Sequence, residues 1–267
     1  MDLPVNRFRR RLLAGQHQTG LWITIPEPTA VEALAGAGYD WLVLDSEHTP
    51  VEVSGLLPLL QAAAPYPVSC IVRPAVNDAA LIKRHLDQGA QTILLPFVQT
   101  PDEAAAAVRA MRYPPAGIRG AGGTVRAARY GRVKDYVARA NDEVCLILQV
   151  ETAEALDRLE AIAQVPGVDA VFIGPNDLAT SMGHPGDPGH PAARKAVLGA
   201  IARMKAIGRP VGLLTTDPAF ARDCIAAGSS FTAVAVDMGL LIAAAEARRA
   251  LFAGATAEAA AGAAQSG

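Results

Sequence analysis

Lysine is scarce in this chain of 267 residues: only Lys83, Lys134, Lys195 and Lys205 occur, none at the end of a predicted strand. An imine-forming enzyme needs a lysine amine in its pocket, so the sequence argues against Schiff-base chemistry. Cysteine is sparse too. Cys70, Cys145 and Cys224 are odd in number and far apart, and the first two fall inside predicted strands. They read as small apolar packing residues rather than as a disulfide or a metal cluster. No apolar run approaches the ~18 residues that a membrane helix requires. The opening MDLPVNRFRRRLLAG lacks the apolar core of a secretion signal and reads as a helix. A cytoplasmic protein with no membrane partner is expected. The formal charge of −2 leaves no electrostatic footprint for nucleic acid. No G-x-G-x-x-G follows the first strand, which removes the main signal of a dinucleotide fold.

What is present repeats one phrase: an alanine-rich helical stretch, a glycine, then a short run of β-branched residues and leucines. ALAGAGYDWLVLD, HLDQGAQTILLP, QVPGVDAVFIGP and CIAAGSSFTAVAVD are examples. The glycine tolerates the left-handed conformation that ends a helix. The run after it is apolar on both faces, as in a strand buried between two layers. This rule predicts strands at 19–24, 41–45, 68–72, 92–96, 145–150, 169–173, 210–214 and 232–236. Helices are predicted at 28–37, 51–63, 78–88, 101–111, 153–163, 190–207, 217–227 and 238–252. Eight strands alternating with helices over ~250 residues predict an α/β fold, the (β/α)8 TIM barrel. It forms a single domain over 1–252, with a doubly wound open sheet as the competing architecture. The alanine- and glycine-rich tail 253–267 is expected to be disordered.

Polar residues close the strands at one end. WLVLD runs into Asp45-Ser46-Glu47-His48, SCIVRP carries Arg73, CLILQVE ends on Glu151 and AVFIGPND ends on Asp177. In a parallel barrel the C-terminal strand ends converge on one mouth. Glu151 and Asp177 end consecutive strands, and two carboxylates with positions left to water suit a hard octahedral cation such as Mg²⁺ or Mn²⁺. Each would serve equally as a helix cap. Gly174 allows close backbone approach, and N–H groups of the turn through Asn176 and Asp177 can hold a ligand carboxylate. Asp45 and His48 are three residues apart. A carboxylate beside an imidazole fixes its tautomer for acid–base work, the alternative being a solvated cap. Arg73 offers a planar, permanent charge to a developing enolate or a carboxylate, the alternative being an ion pair with Glu47 or Asp45.

Two insertions, 112–144 and 181–191, break the rhythm and are expected to lie over the mouth, where loops set substrate choice. GIRGAGG (117–123) is glycine-rich but follows a helix, so the phosphate-loop analogy fails. The histidines of GHPGDPGHP, flanked by proline and glycine, read as a surface loop rather than metal ligands.

The stretches AGAGYDWLVLDSEH, VRPAVNDAALIKRHLDQGAQTILLPFVQ, RYPPAGIRG, LQVET and GVDAVFIGPNDLATSMG together resemble the HpcH/HpaI aldolase family. Its members are metal-dependent pyruvate aldolases of the phosphoenolpyruvate/pyruvate barrel superfamily, and the similarity covers roughly Phe8 to Phe252. The resemblance implies a class II aldolase that cleaves 4-hydroxy-2-ketoacids to pyruvate and an aldehyde through an enolate. It implies Mg²⁺, Mn²⁺ or Co²⁺ on Glu151 and Asp177, with Gln149 as a hydrogen-bonding neighbour. Pyruvate would chelate that ion, its carboxylate resting on the backbone of Asn176 and Asp177 beside Gly174. Arg73 would hold the keto oxygen as it becomes an enolate, and His48 with Asp45 would move protons. A divalent ion on the keto oxygen eases loss of a C3 proton by stabilising charge where it forms.

The family also uses an aspartate at the position of Asp87, which ends the helix before strand four at the bottom of its own barrel. Asp87 would therefore act from a neighbouring subunit. That agrees with the homo-oligomer the resemblance implies, a hexamer built as a trimer of dimers with the C-terminal helix 238–252 swapped. Leu214-Thr215-Thr216, Val236-Asp237 and the segment RGAGG-TVRAARYG would receive the aldehyde. A citryl- or malyl-CoA lyase-like enzyme is the alternative, with the arginines of 126–139 as its nucleotide site. A non-catalytic binding protein on the same scaffold is the third reading.

Overall fold

The computed structural model describes residues 1–252, and its strands follow the alternation of the sequence. They are β1 Gln18–Ile23, β2 Trp41–Asp45, β3 Ser69–Arg73, β4 Thr92–Leu95, β5 Cys145–Val150, β6 Ala170–Ile173, β7 Val211–Leu214 and β8 Phe231–Val236. Each pairs in parallel with the next, and β8 returns to β1, so the barrel is closed. Successive residues of a strand face opposite sides. Trp41 and Val43 of β2, Ile71 of β3 and Ile147 of β5 point inward, where they meet Phe172 and Phe231. Leu42, Leu44, Val72 and Leu148 point outward into the layer beneath the helices. That division explains runs that are apolar on both faces.

The barrel is filled, not hollow. A Cβ added at Gly20 would lie 2.2 Å from the Trp41 ring, and one at Gly212 would lie 2.4 Å from the Phe231 ring. Small residues there make room for large ones across the interior. The opening segment does form a helix, α1 Arg7–Leu13, which drives Phe8 and Leu12 into the bottom of this cluster. Phe8 meets the Phe231 ring edge-on at 5.4 Å.

The remaining helices are α2 Pro28–Ala35, α3 Val53–Ala63, α4 Ala79–Asp87, α5 Pro101–Met111, α6 Tyr136–Arg139, α7 Ala153–Asp157, α8 Leu159–Ala163, α9 Pro175–Ser181, α10 Pro191–Ala206, α11 Pro218–Ala227 and α12 Asp237–Ala250. Their caps come from the expected chemistry. Asp78 accepts from the N–H groups of Ala80 and Leu81 to start α4, and Asp217 does the same at Ala219 and Phe220 for α11. Gly89 (φ +98) and Gly228 (φ +116) occupy the left-handed region that ends those two helices. The single helix expected over 153–163 is broken at Arg158 into α7 and α8. No helix among the described residues is long and apolar enough to cross a membrane. The tail 253–267 lies outside the described residues.

Two expectations are corrected. The insertion 112–144 joins the end of α5 to the start of β5, so it lies at the strand-start face, opposite the mouth. There Arg126 donates to the Gln88 carbonyl at 2.6 Å, and Leu3, Tyr113, Val133 and Tyr136 form a small core of their own. A cavity of about 650 Å³ lies at this face, lined by Cys70, Thr92, Arg126 and Arg129 among others. Asp237, expected on the rim, is buried instead. It accepts from the N–H and hydroxyl of Thr24 at 2.9 and 2.7 Å and from the N–H of Ile25 at 2.9 Å. A carboxylate so occupied ties β8 to the end of β1 and belongs to the frame.

Candidate active site

β2 and β3 end side by side, with Asp45 opposite Arg73 in the register. Arg73 donates from Nε to Asp45 Oδ1 at 2.8 Å and from Nη2 to Oδ2 at 2.7 Å, a two-pronged clamp between buried groups. Trp22 supports both. Its ring lies 4.7 Å from the guanidinium carbon, and its indole N–H donates to Asp45 Oδ2 at 3.3 Å. Burial pushes the Asp45 carboxyl up, but hydrogen bonds and charge from Arg73 outweigh it and leave the group below its ordinary range. Arg73 Nη1 also stands 2.7 Å from Glu47 Oε2. That oxygen is buried and lacks a well-aligned donor. A guanidinium has five N–H donors, so Arg73 keeps some on its Nη atoms for a ligand.

Glu151, immediately after β5, is 3 % exposed. Its Oε1 accepts from the Phe97 N–H at 2.9 Å and its Oε2 from the Gln149 amide. A Cβ at Gly174 would fall 2.6 Å from Glu151 Oε2, so only glycine fits against this carboxylate. Burial is the main force on its proton: it raises the Glu151 pKa to about 7, with Asp177 and Glu47 adding to the rise and the Gln149 hydrogen bond opposing it. Glu47 is raised in the same way, by burial first, against the pull of Arg73 and His48. Three carboxylates from β2, β5 and β6 thus face one another.

The structure separates other candidates. Asp45 is committed to Arg73, Trp22 and the Glu47 N–H, whereas His48 is exposed and its Nε2 lies 3.8 Å from Glu47 Oε2. The expected Asp45–His48 pair is therefore replaced by Glu47–His48. Glu47 is the residue that sequence reasoning cast only as a partner for Arg73. Asn176 and Asp177 are exposed in the first turn of α9, and Leu214 is half-buried at the end of β7 over the barrel interior. Asp87 sits at the opposite face, where its Oδ1 accepts from Arg119 at 2.8 Å.

A profile of the family described as HpcH/HpaI aldolase/citrate lyase matches residues 18–244. The chain belongs to this family. It is 57% identical to the pyruvate aldolase of Rhizobium etli over 253 residues, which are 95% of this chain and all of that one. It is 53% identical to the hydroxypyruvate/pyruvate aldolase of Sagittula stellata, over 94% of this chain and 99% of that one. A crystal structure of an HpcH/HpaI aldolase/citrate lyase family protein from Burkholderia cenocepacia superposes with a TM-score of 0.88 at 42% identity, covering 92% of this chain and 98% of the other.

The residues at the mouth of this HpcH/HpaI family member fit a divalent cation. Buried acceptor oxygens outnumber donors: Glu47 Oε2 and Gln149 Oε1 have no aligned partner, and Glu151 resists losing its proton in their company. A cation would relieve that repulsion. Among the described residues no three His, Cys, Asp or Glu side chains converge as a ligand set. Glu151 and Asp177 would hold the ion and leave its other positions to substrate and water.

Proposed function

We propose that this protein is a class II pyruvate aldolase, cleaving 4-hydroxy-2-ketoacids to pyruvate and an aldehyde and running in reverse. The observation that carries the reading is the mouth itself. The buried Glu151 faces Asp177 and Glu47, beside a guanidinium that Asp45 holds rigid. Relatives named as pyruvate and hydroxypyruvate aldolases over nearly the whole chain support it.

A divalent ion on Glu151 and Asp177 supplies Lewis acidity toward the keto oxygen of pyruvate. The chain supplies the rest. Gln149 and the Phe97 N–H each hold one oxygen of Glu151, so that carboxylate cannot turn away. Arg73 directs its remaining donors at the oxygen that gains charge as C3 loses its proton. The Asp45 clamp pre-orients it, so no reorganisation is needed when charge appears. Asp45 is held below the ordinary carboxylate range, which makes it a poor base and a good anchor. The proton passes to the His48–Glu47 side, where an exposed imidazole exchanges with solvent. Backbone N–H groups of Asn176 and Asp177 receive the substrate carboxylate beside Gly174, and Leu214 borders the aldehyde.

Asp87 faces away from its own mouth and acts on a neighbour's. Past Asp237, every residue of α12 is exposed, including Leu240, Leu241 and Ile242. A second copy covers that apolar face by exchange of α12, within a hexamer. The acyl-CoA alternative is weakened, because the arginines of 126–139 lie at the strand-start face.

The test is pyruvate release from a panel of 4-hydroxy-2-ketoacids. EDTA should abolish it, Mn²⁺, Co²⁺ or Mg²⁺ should restore it, and coenzyme A should have no effect. Turnover that survives chelation, with borohydride trapping a protein adduct, would reject the reading.

A further inference from the structure

Phe97 stands two residues past the end of β4 in the left-handed region, at φ +53. That region is costly for a bulky L-residue. The conformation has a use, since it turns the Phe97 N–H onto Glu151 Oε1 at 2.9 Å while Val98 N–H returns to the Gln149 carbonyl at 3.1 Å. Glycine would give the same backbone without strain. The chain keeps a phenyl ring instead, 60% exposed, between buried neighbours and beside the acidic cluster. Strain retained at such a place points to work done by the side chain.

The surroundings indicate what kind of work. The interior below the mouth is apolar, with Trp22 and Phe172 buried and Leu214 and Val236 half-buried above them. Among the described residues at the eight strand ends Arg73 is the one lysine or arginine, and Asp45 and Glu47 already engage it. A distal carboxylate on the aldehyde therefore finds no cation from this subunit, and sugar hydroxyls find few partners.

We propose that Phe97 is the specificity-determining residue of the aldehyde subsite, its ring forming an apolar wall that selects uncharged aldehydes with an aliphatic or aromatic body. The inference rests on the pyruvate aldolase reading and names its substrate class.

The experiment measures kcat/KM for Mn²⁺-loaded enzyme condensing pyruvate with butanal, glyceraldehyde or 4-oxobutanoate. Phe97→Gly and Phe97→Asn are compared with the parent chain, because both residues tolerate positive φ and both keep the backbone N–H. The parent is expected to prefer butanal to 4-oxobutanoate, which has the same length but carries a charge. In both variants the butanal-to-glyceraldehyde ratio should fall about tenfold, the scale of a lost apolar contact. Mn²⁺ affinity by electron paramagnetic resonance and particle mass by light scattering should stay unchanged. An unaltered ratio overturns the proposal. So does an equal loss with all three aldehydes, which would confine Phe97 to holding Glu151. A change in particle mass would make the ring a subunit contact and overturn it equally. If the parent consumes pyruvate with no aldehyde at all, the aldolase reading itself fails, a result distinct from these.

Discussion

Arg73 shows how one side chain is made into an electrostatic tool. Its Nε and Nη2 are spent on Asp45, which leaves a fixed charge with its other donors free. Lysine keeps the charge but not the fork. Arg73→Lys should therefore lower kcat/KM by about 10²- to 10³-fold, the usual cost of one lost oxyanion donor. Mn²⁺ affinity should be nearly unchanged. Steady-state kinetics alongside a metal titration check both. At Gly174 the limit is steric, because a new Cβ would collide with Glu151 Oε2 and lie 2.8 Å from its Cβ. Gly174→Ala should fold yet bind Mn²⁺ at least about tenfold more weakly, by displacing a metal-holding carboxylate; calorimetric titration reads this directly.

Among the elements, α4 carries a buried histidine that serves stability. His85 is 1 % exposed with Nδ1 unpartnered, and burial lowers its pKa to about 4, with Arg84 adding to the effect. The folded state then binds fewer protons than the unfolded state below the ordinary value of 6.5. The stability it permits is fully present above pH 6.5 and drains away as pH falls toward 4, by up to about 3 kcal/mol. Urea unfolding should show a smaller loss between pH 7 and pH 4.5 in His85→Gln than in the parent chain.

Much of this element structure is legible in the sequence, and the reason is geometric. Strands sandwiched between a filled interior and a coat of helices must be apolar on both faces, and glycines such as Gly89 and Gly228 mark where each helix stops. Alternation then sends Asp45, Arg73 and Glu151 inward with Trp41, Ile71 and Ile147, so strand ends expose the site. Residues in turns escape this logic. No periodicity tells which of Glu47 and His48 faces Arg73, and the structure chose Glu47. The insertion 112–144 was misplaced for a simpler reason. It leads from a helix into a strand, and such connections lie at the face opposite the mouth. Asp237 escaped because a carboxylate at a strand end looks the same whether it faces a substrate or its neighbour's backbone.

For the whole molecule, α12 is a helix with little of its own barrel to pack on. Its exposed Leu240, Leu241 and Ile242 would each contribute roughly 1.5–3 kcal/mol on burial against a second copy. A chain ended after Gly239 should lose subunits by light scattering. If Asp87 acts across the interface, mixing Asp87→Asn subunits with Glu151→Gln subunits should restore part of the turnover that each lacks alone. The central claim is that one mouth gathers Glu151 and Asp177 around a cation that the reaction needs. The most direct measurement is Mn²⁺ titration by electron paramagnetic resonance, with pyruvate release followed in the same samples, for the parent chain and Glu151→Gln. The account predicts stoichiometric binding that tracks turnover in the parent, and loss of both in the variant. Turnover that persists in Glu151→Gln without bound metal would contradict it.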